Sequence, residues 1–203
     1  MTYSILVADP KNRLLGVISV SGSIAVGSRV PHINYPYCAV ATQALTNPAL
    51  GPIIGELVAE GKPAEVALRA ALSQDSYFEH RQVAVITMTL DKAVFTGPET
   101  PAHRGEYIGE DFIVIGNYVQ RKVVEVAAEA MHKNRKINML DRLLLAAEEG
   151  HKAGGDLRGD RSAALLIYGE TEYSPHYNKL LDLRVDFSRS PLQDLIKIVE
   201  LLK

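Results

Sequence analysis

The chain has 203 residues, of which 47% are hydrophobic and 23% charged, with a formal net charge of −2. That length suits a single domain, 1–203, able to bury ~70% of its unfolded surface, and the composition is that of a globular protein rather than a disordered one. Near-neutral charge with scattered basic residues gives no electrostatic reason to expect nucleic acid or a membrane as partner, and no apolar run approaches the ~18 residues of a membrane span.

Thr2 to Ala8 is rich in β-formers, Asp9 to Arg13 is a turn, and Leu14 to Val20 answers as a second strand, so an opening hairpin is predicted. No signal-peptide pattern precedes Tyr3, which predicts a cytoplasmic protein. Ser21 to Pro36 reads as a Gly-, Ser- and Pro-rich loop, and Tyr37 to Thr42 as a strand apolar on both faces. The lone Cys38 inside it reads as a small core residue. Asn47-Pro48 predicts the start of a helix that runs to Glu60 and stops at Gly61, and Pro63 starts another. Gln82 to Leu90 and Lys92 to Thr96 suggest a second hairpin, followed by a short strand, Asp111 to Asn117. Two helices follow, roughly Arg121 to His132 and Met139 to Lys152, with Asn138 as cap and Gly154-Gly155-Asp156 as terminator. Arg161 to Tyr168 and Tyr177 to Val185 form a last strand pair. Ser190-Pro191-Leu192-Gln193 reads as a capping box before a closing helix with Leu192, Leu195, Ile196, Val199 and Leu202 on one face. Strand pairs on short turns, with helices arriving in twos, predict an α+β fold of antiparallel sheets covered by helices.

Thr2 is the first candidate for chemistry. Trimming of Met1 is usual before a small residue and would leave Thr2 with a free α-amine beside its own hydroxyl, a nucleophile and its base in one residue. Other motifs fail. Gly22 to Ser28 has P-loop glycine spacing but Ser28 in place of the lysine, and no G-x-S-x-G elbow is present. The six histidines do not pair at metal-ligand spacing, so no metal and no cofactor is expected. Four polar clusters stand at strand ends: Thr42-Gln43 with Asn47, His80-Arg81-Gln82, Gly116-Asn117, and Gly154 through Ser162. Each can be turn chemistry alone. Asn117 is the strongest, because a carboxamide N–H at a strand end can stabilise an oxyanion. Arg161, a cation beside an apolar strand, needs an anion such as Asp156 or a substrate carboxylate.

The order of these clusters carries a resemblance. Thr2-Tyr3-Ser4-Ile5, Asp9-Pro10, Ala25-Val26-Gly27-Ser28, Val30-Pro31, Ala39 through Ala44, Asn47-Pro48 and Gly51-Pro52 contribute to it. So do His80-Arg81-Gln82-Val83, Thr96-Gly97, Gly116-Asn117, Gly154-Gly155-Asp156, Arg158-Gly159, Ser162-Ala163-Ala164-Leu165 and Asp182 through Asp186. Over nearly its whole length the chain resembles the family called domain of unknown function 1028, which itself looks like a member of the N-terminal nucleophile hydrolases. The resemblance implies a four-layer αββα sandwich with two antiparallel sheets, and an amide hydrolase with Thr2 as nucleophile and its α-amine as base. Four positions depart from the family pattern: His32 stands where an aromatic residue is usual, Ile115 replaces a glutamine, and Asp160-Arg161 replaces an Arg-Gln pair.

The leading expectation is therefore hydrolysis of a small amide or peptide-type bond, with Thr2 and Asn117 catalytic. Thr42, Gln43, Gln82, Asp156, Arg158, Arg161 and Ser162 are the candidate substrate contacts. Thr2 is expected beside a solvent-reachable pocket, not between a helix layer and a sheet. The alternatives are a non-catalytic ligand-binding or assembly protein on the same scaffold, and an enzyme using Asp156, Arg161 and His103 on an anionic substrate. The expected partners are a small-molecule substrate and further copies of the chain in a homo-oligomer.

Overall fold

A computed structural model describes residues 2–202. Its strands are β1 (Thr2–Asp9), β2 (Leu14–Ser21), β3 (Pro31–Asn34), β4 (Cys38–Ala44), β5 (Arg81–Thr87), β6 (Lys92–Thr96), β7 (Gly105–Ile108), β8 (Phe112–Asn117), β9 (Ser162–Tyr168) and β10 (Lys179–Val185). Its helices are α1 (Leu50–Ala59), α2 (Ala64–Leu72), α3 (Val123–Lys133), α4 (Met139–Lys152) and α5 (Pro191–Glu200). The strands form a six-stranded sheet, β10-β9-β2-β1-β8-β7, and a four-stranded sheet, β3-β4-β5-β6. All the strand pairs are antiparallel.

The period of two in each strand sets the layers. In β1, Tyr3, Ile5 and Val7 enter one core with residues of α3, α4 and α5, while Leu6 and Ala8 enter another with residues of the second sheet. In β4 and β5, Cys38, Val40, Val83 and Val85 pack against α1 and α2. The result is a four-layer αββα sandwich with two antiparallel sheets inside. Both faces of β1, β4 and β8 are covered, which is why these strands read as almost unbroken apolar runs. Close packing shows at Gly16, where an added Cβ would lie 2.7 Å from the sulfur of Met139 and 2.9 Å from Leu143.

Several elements differ from the sequence reading. The stretch expected to be loop contains the edge strand β3, which begins at Pro31 and pairs only with β4. Edge strands tolerate proline because half of their N–H groups have no ladder partner. β7 is another short edge strand, three of its four residues exposed, and carries too few apolar residues to show a period. β5 stops at Thr87, because Leu90 takes a positive φ of 67° and the chain turns there. The capping box at Ser190 does not form. Its side chain makes no cap bond, while its backbone N–H donates to Ser188 Oγ at 3.0 Å. The cap at Asn138 does form, with Asp141 N–H donating to its side chain at 2.9 Å.

A polar end of the inter-sheet layer

Across the middle of the sandwich the facing residues are apolar: Leu6 and Ala8 of β1, Leu15 and Val17 of β2, Ala39 and Ala41 of β4, Ala84 and Ile86 of β5, Ile113 and Ile115 of β8. Continuing the same period toward one end changes the chemistry. The next inward positions are Ser4 and Thr2, Ser19 and Ser21, Gln43, Gln82, Asn117, and Ser162 of β9, every one of them buried. Register aligns Ser162, Ser21, Thr2 and Asn117 as one row across four strands.

Hydrogen-bond direction in this cluster can be read from its carbonyl anchors, which only accept. Gln82 Nε2 lies 3.2 Å from the Gly105 carbonyl and 3.1 Å from that of Gly116, so it must be the amide nitrogen. Gln82 Oε1 therefore accepts, from Gln43 Nε2 at 2.8 Å and Asn117 Nδ2 at 3.0 Å. Gln43 Nε2 also donates to the Thr2 carbonyl at 3.2 Å, which leaves Gln43 Oε1 to accept from Ser4 Oγ at 2.7 Å. Ser4 then takes the hydrogen of Ser19, 2.8 Å away. The chain of assignments ends on Asn117 Oδ1, a fully buried acceptor without a hydrogen-bond partner among the described residues. Such an atom costs on the order of 1–3 kcal/mol. One N–H of Asn117, the group expected to face an oxyanion, is thus committed to Gln82, and the open atom is the oxygen.

Thr2 Oγ1 lies 3.0 Å from Ser21 Oγ. Thr2 is only 5% exposed and, among the described residues, lines none of the main surface cavities. It was expected beside a solvent-reachable pocket; its side chain is instead enclosed between the two sheets, on the face away from the helices. Met1, on which the amine chemistry depends, lies outside the described residues.

The other expected site residues divide. Gln43 and Gln82 join Thr2 and Asn117. Thr42 does not: it sits on the opposite face of β4, where its hydroxyl donates to the Asn47 carbonyl at 3.1 Å. There Asn47 Nδ2 donates to Asp75 Oδ2 at 2.8 Å, and Arg81 grips both Asp75 oxygens at 2.9 and 3.0 Å. Arg81 holds the Asp75 carboxyl at about 2, below the usual carboxylate range, with Asn47 assisting and burial opposing.

Asp156, Arg158 and Ser162 brace the loop after β2. Asp156 Oδ2 accepts from Gly22 N–H at 2.8 Å and from the Arg158 guanidinium at 3.0 Å. A Cβ on Gly22 would come within 2.5 Å of Asp156 Oδ1, so the loop can lie there only as glycine. Burial raises the Asp156 carboxyl, with the amides of Arg158 and Gly22 and the charge of Arg161 opposing. Burial lowers the Arg158 guanidinium, and Arg161 adds to that. Ser162 Oγ donates to the Ser23 carbonyl at 2.7 Å and accepts from Val26 N–H at 3.1 Å. Arg161 is tied by its backbone N–H to the Ser21 carbonyl at 2.7 Å, while its exposed side chain makes no hydrogen bond or ion pair among the described residues. Asp160 pairs with His151 at 2.7 Å. His103 stands apart on the far side of Val119, which bridges to Asp156 and whose N–H reaches the His103 carbonyl.

Sequence reasoning passed over Ser4, Ser19 and Ser21. Their signal was available: Ser4 follows Thr2, and Ser21 follows Ser19, at alternate inward positions of strands whose other inward residues are apolar. Of the family departures, Ile115 belongs to the apolar inter-sheet core. The His32 ring covers Gly51, where a Cβ would come within 2.3 Å of it.

Among the described residues no three His, Cys, Asp or Glu side chains are placed to share a metal ion, and no helix is long and apolar enough to cross a membrane. Fold and site together define a four-layer αββα sandwich with a buried polar row at one end of its inter-sheet layer. The sequence profile of the family of unknown function DUF1028 matches residues 2–195, and the chain belongs to that family. It is similar to protein SPO2555 from Silicibacter pomeroyi, a DUF1028 protein of known crystal structure. The TM-score is 0.88 at 27% identity, covering 98% of this chain and 84% of the other. No curated protein matches it in sequence.

Proposed function

We propose that the chain is a hydrolase of the N-terminal nucleophile type, cleaving a small amide or peptide-type bond with Thr2. The observation that carries this reading is the pairing of Thr2, first residue of a central strand, with Asn117, whose buried Oδ1 has no donor among the described residues. Removal of Met1 would turn the Thr2 nitrogen from an amide into an amine, the missing base and the missing donor at once. The neutral amine takes the Oγ1 proton as Oγ1 attacks the carbonyl carbon. The resulting ammonium donates to Asn117 Oδ1, then passes its proton to the departing nitrogen. Water hydrolyses the Thr2 ester in the reverse sense. The second N–H of Asn117 is available to the oxyanion, and Gln82 and Gln43 fix the orientation of both partners. We further propose a cytoplasmic location, a small-molecule substrate and a homo-oligomeric assembly.

A screen of N-acyl amino acids, ureides, lactams and γ-glutamyl amides, with Thr2→Ala as control, tests the reading. Turnover that survives Thr2→Ala or an uncleaved N-terminal extension refutes it. The 5% exposure of Thr2 favours a second reading, a ligand-binding or assembly protein that keeps Met1. Intact mass of protein made without an N-terminal tag separates the two, since uniform retention of Met1 removes the base.

A further inference from the structure

A cavity of about 630 Å³ lies between α3 and the segment leading into β7, lined by Thr100, Ala102, His103, Arg104, Gly105, Val119, Gln120, Arg121 and Val124. Its titratable lining is entirely basic: His103, Arg104 and Arg121, with no carboxylate, in a chain whose acids outnumber its Lys and Arg by 24 to 22. We infer that this cavity binds an organic anion, a small molecule with a carboxylate or phosphate group on a partly apolar body.

Three observations carry the inference. The first is charge. Arg121 is exposed and makes no hydrogen bond or ion pair among the described residues. Among the described residues Arg104 donates only to the carbonyls of Pro98 and Thr100, so no carboxylate there compensates its charge. Two guanidinium forks at one opening match paired oxygens of a carboxylate or phosphate. The second is size. At about 630 Å³ the space is far larger than a bare ion fills and within the range of metabolite sites. The third is the wall. Ala102, Val119 and Val124 give an apolar surface, while Thr100 and Gln120 supply neutral polar groups that can fix orientation.

The cavity also touches the polar cluster. The Gly105 carbonyl in its wall accepts from Gln82, and register places Gly105 opposite Gly116, next to Asn117. An anion held here would lie within a few strand spacings of Thr2, each about 4.8 Å. The binding site nevertheless stands on its own, whether or not Thr2 is catalytic.

Calorimetry on the full chain tests it, with glutarate and glycerol 3-phosphate as probes and glutaramide as the uncharged control. Thr2→Ala protein serves for every titration, so that turnover cannot contribute heat. Saturable binding of either probe, with the glutarate and phosphate arms naming the preferred oxygen group, is expected; glutaramide should bind at least tenfold more weakly. Arg121→Gln should weaken binding by about tenfold or more, the loss of one charge-assisted contact. His103→Asn, which tolerates the φ of 57° at that position, should weaken it by less. Arg135→Gln, an exposed cation in the α3–α4 turn, should leave it within about twofold. Circular dichroism checks that each variant is folded. Absence of saturable binding by both probes overturns the inference. So does equal binding of glutaramide, or equal weakening by Arg121→Gln and Arg135→Gln.

Discussion

The two faces of the four-stranded sheet carry polar clusters at the same end, and they are built on opposite plans. On the helix side, Arg81, Asp75, Asn47 and Thr42 form a charged group in which Asp75 is gripped at both oxygens by Arg81. On the inter-sheet side, the side chains of Gln43, Gln82, Asn117, Ser4 and Thr2 are uncharged, and Asn117 Oδ1 lacks a donor among the described residues. Neighbours in sequence are split between them, Thr42 from Gln43 and Arg81 from Gln82. The first cluster ties the segment around Asp75 and Tyr77 to the sheet and is complete as it stands. A complete buried ion pair has little left to offer a ligand. A neutral network with one open acceptor keeps a place for a group that arrives later.

The largest separation of the two clusters should come from Thr2. Thr2→Ala is expected to abolish amide hydrolysis while lowering the unfolding free energy by only about 1 kcal/mol, the loss of its bond to Ser21. Thr2→Ser should keep part of the activity. Steady-state rates beside urea melts check both. Rates should also rise with pH through an apparent value near or below ~8, because the neutral α-amine is the competent form.

Arg81→Ala should do the reverse. It strands a carboxylate that is 5% exposed, and about 3–5 kcal/mol of stability should go, visible as a lower urea midpoint with little change in slope. Asn117→Ala on the other face should cost only about 1 kcal/mol, because Gln82 Oε1 keeps its bond from Gln43. If the two substitutions destabilise equally, the contrast between the faces is wrong.

Acid sharpens it further. Asp75 has a folded pKa of about 2, set first by Arg81, against ~3.9 when unfolded. A depressed carboxyl contributes stability that is fully present above the unfolded value and lost as pH falls through the folded one. Up to about 2 kcal/mol should therefore disappear between roughly pH 5 and 2, and this limb should shrink in Arg81→Ala. The smallest effect concerns Cys38, buried behind the same sheet with its thiol pushed up to about 12. It should resist a thiol reagent at pH 8 in the folded protein and react at once in denaturant. Fast native labelling would show that the helix side of the sheet opens readily.

Much of the architecture was legible because strands buried on both faces leave long apolar runs, and because Gly61, Gly154 and Asn138 punctuate helices in a way local energetics dictate. β3 and β7 were not legible, since an edge strand needs neither an apolar period nor a full ladder. Ser190 carried the letters of a capping box, yet its N–H is taken up by Ser188, a competition decided by local geometry.

By itself the sequence determined the strand periodicity, and with it that Thr42 and Gln43, or Arg81 and Gln82, must part to opposite faces. It also determined that Cys38 is core. Only the tertiary structure decided which face was which, because alternation fixes relative orientation but not the layer a face meets. It likewise decided that Thr2, Ser21, Asn117 and Ser162 share a row, since strands far apart in the chain meet only through register. The acceptor left open at Asn117 follows from that meeting. A hydrogen-bond deficit belongs to a set of neighbours, and no single residue carries it.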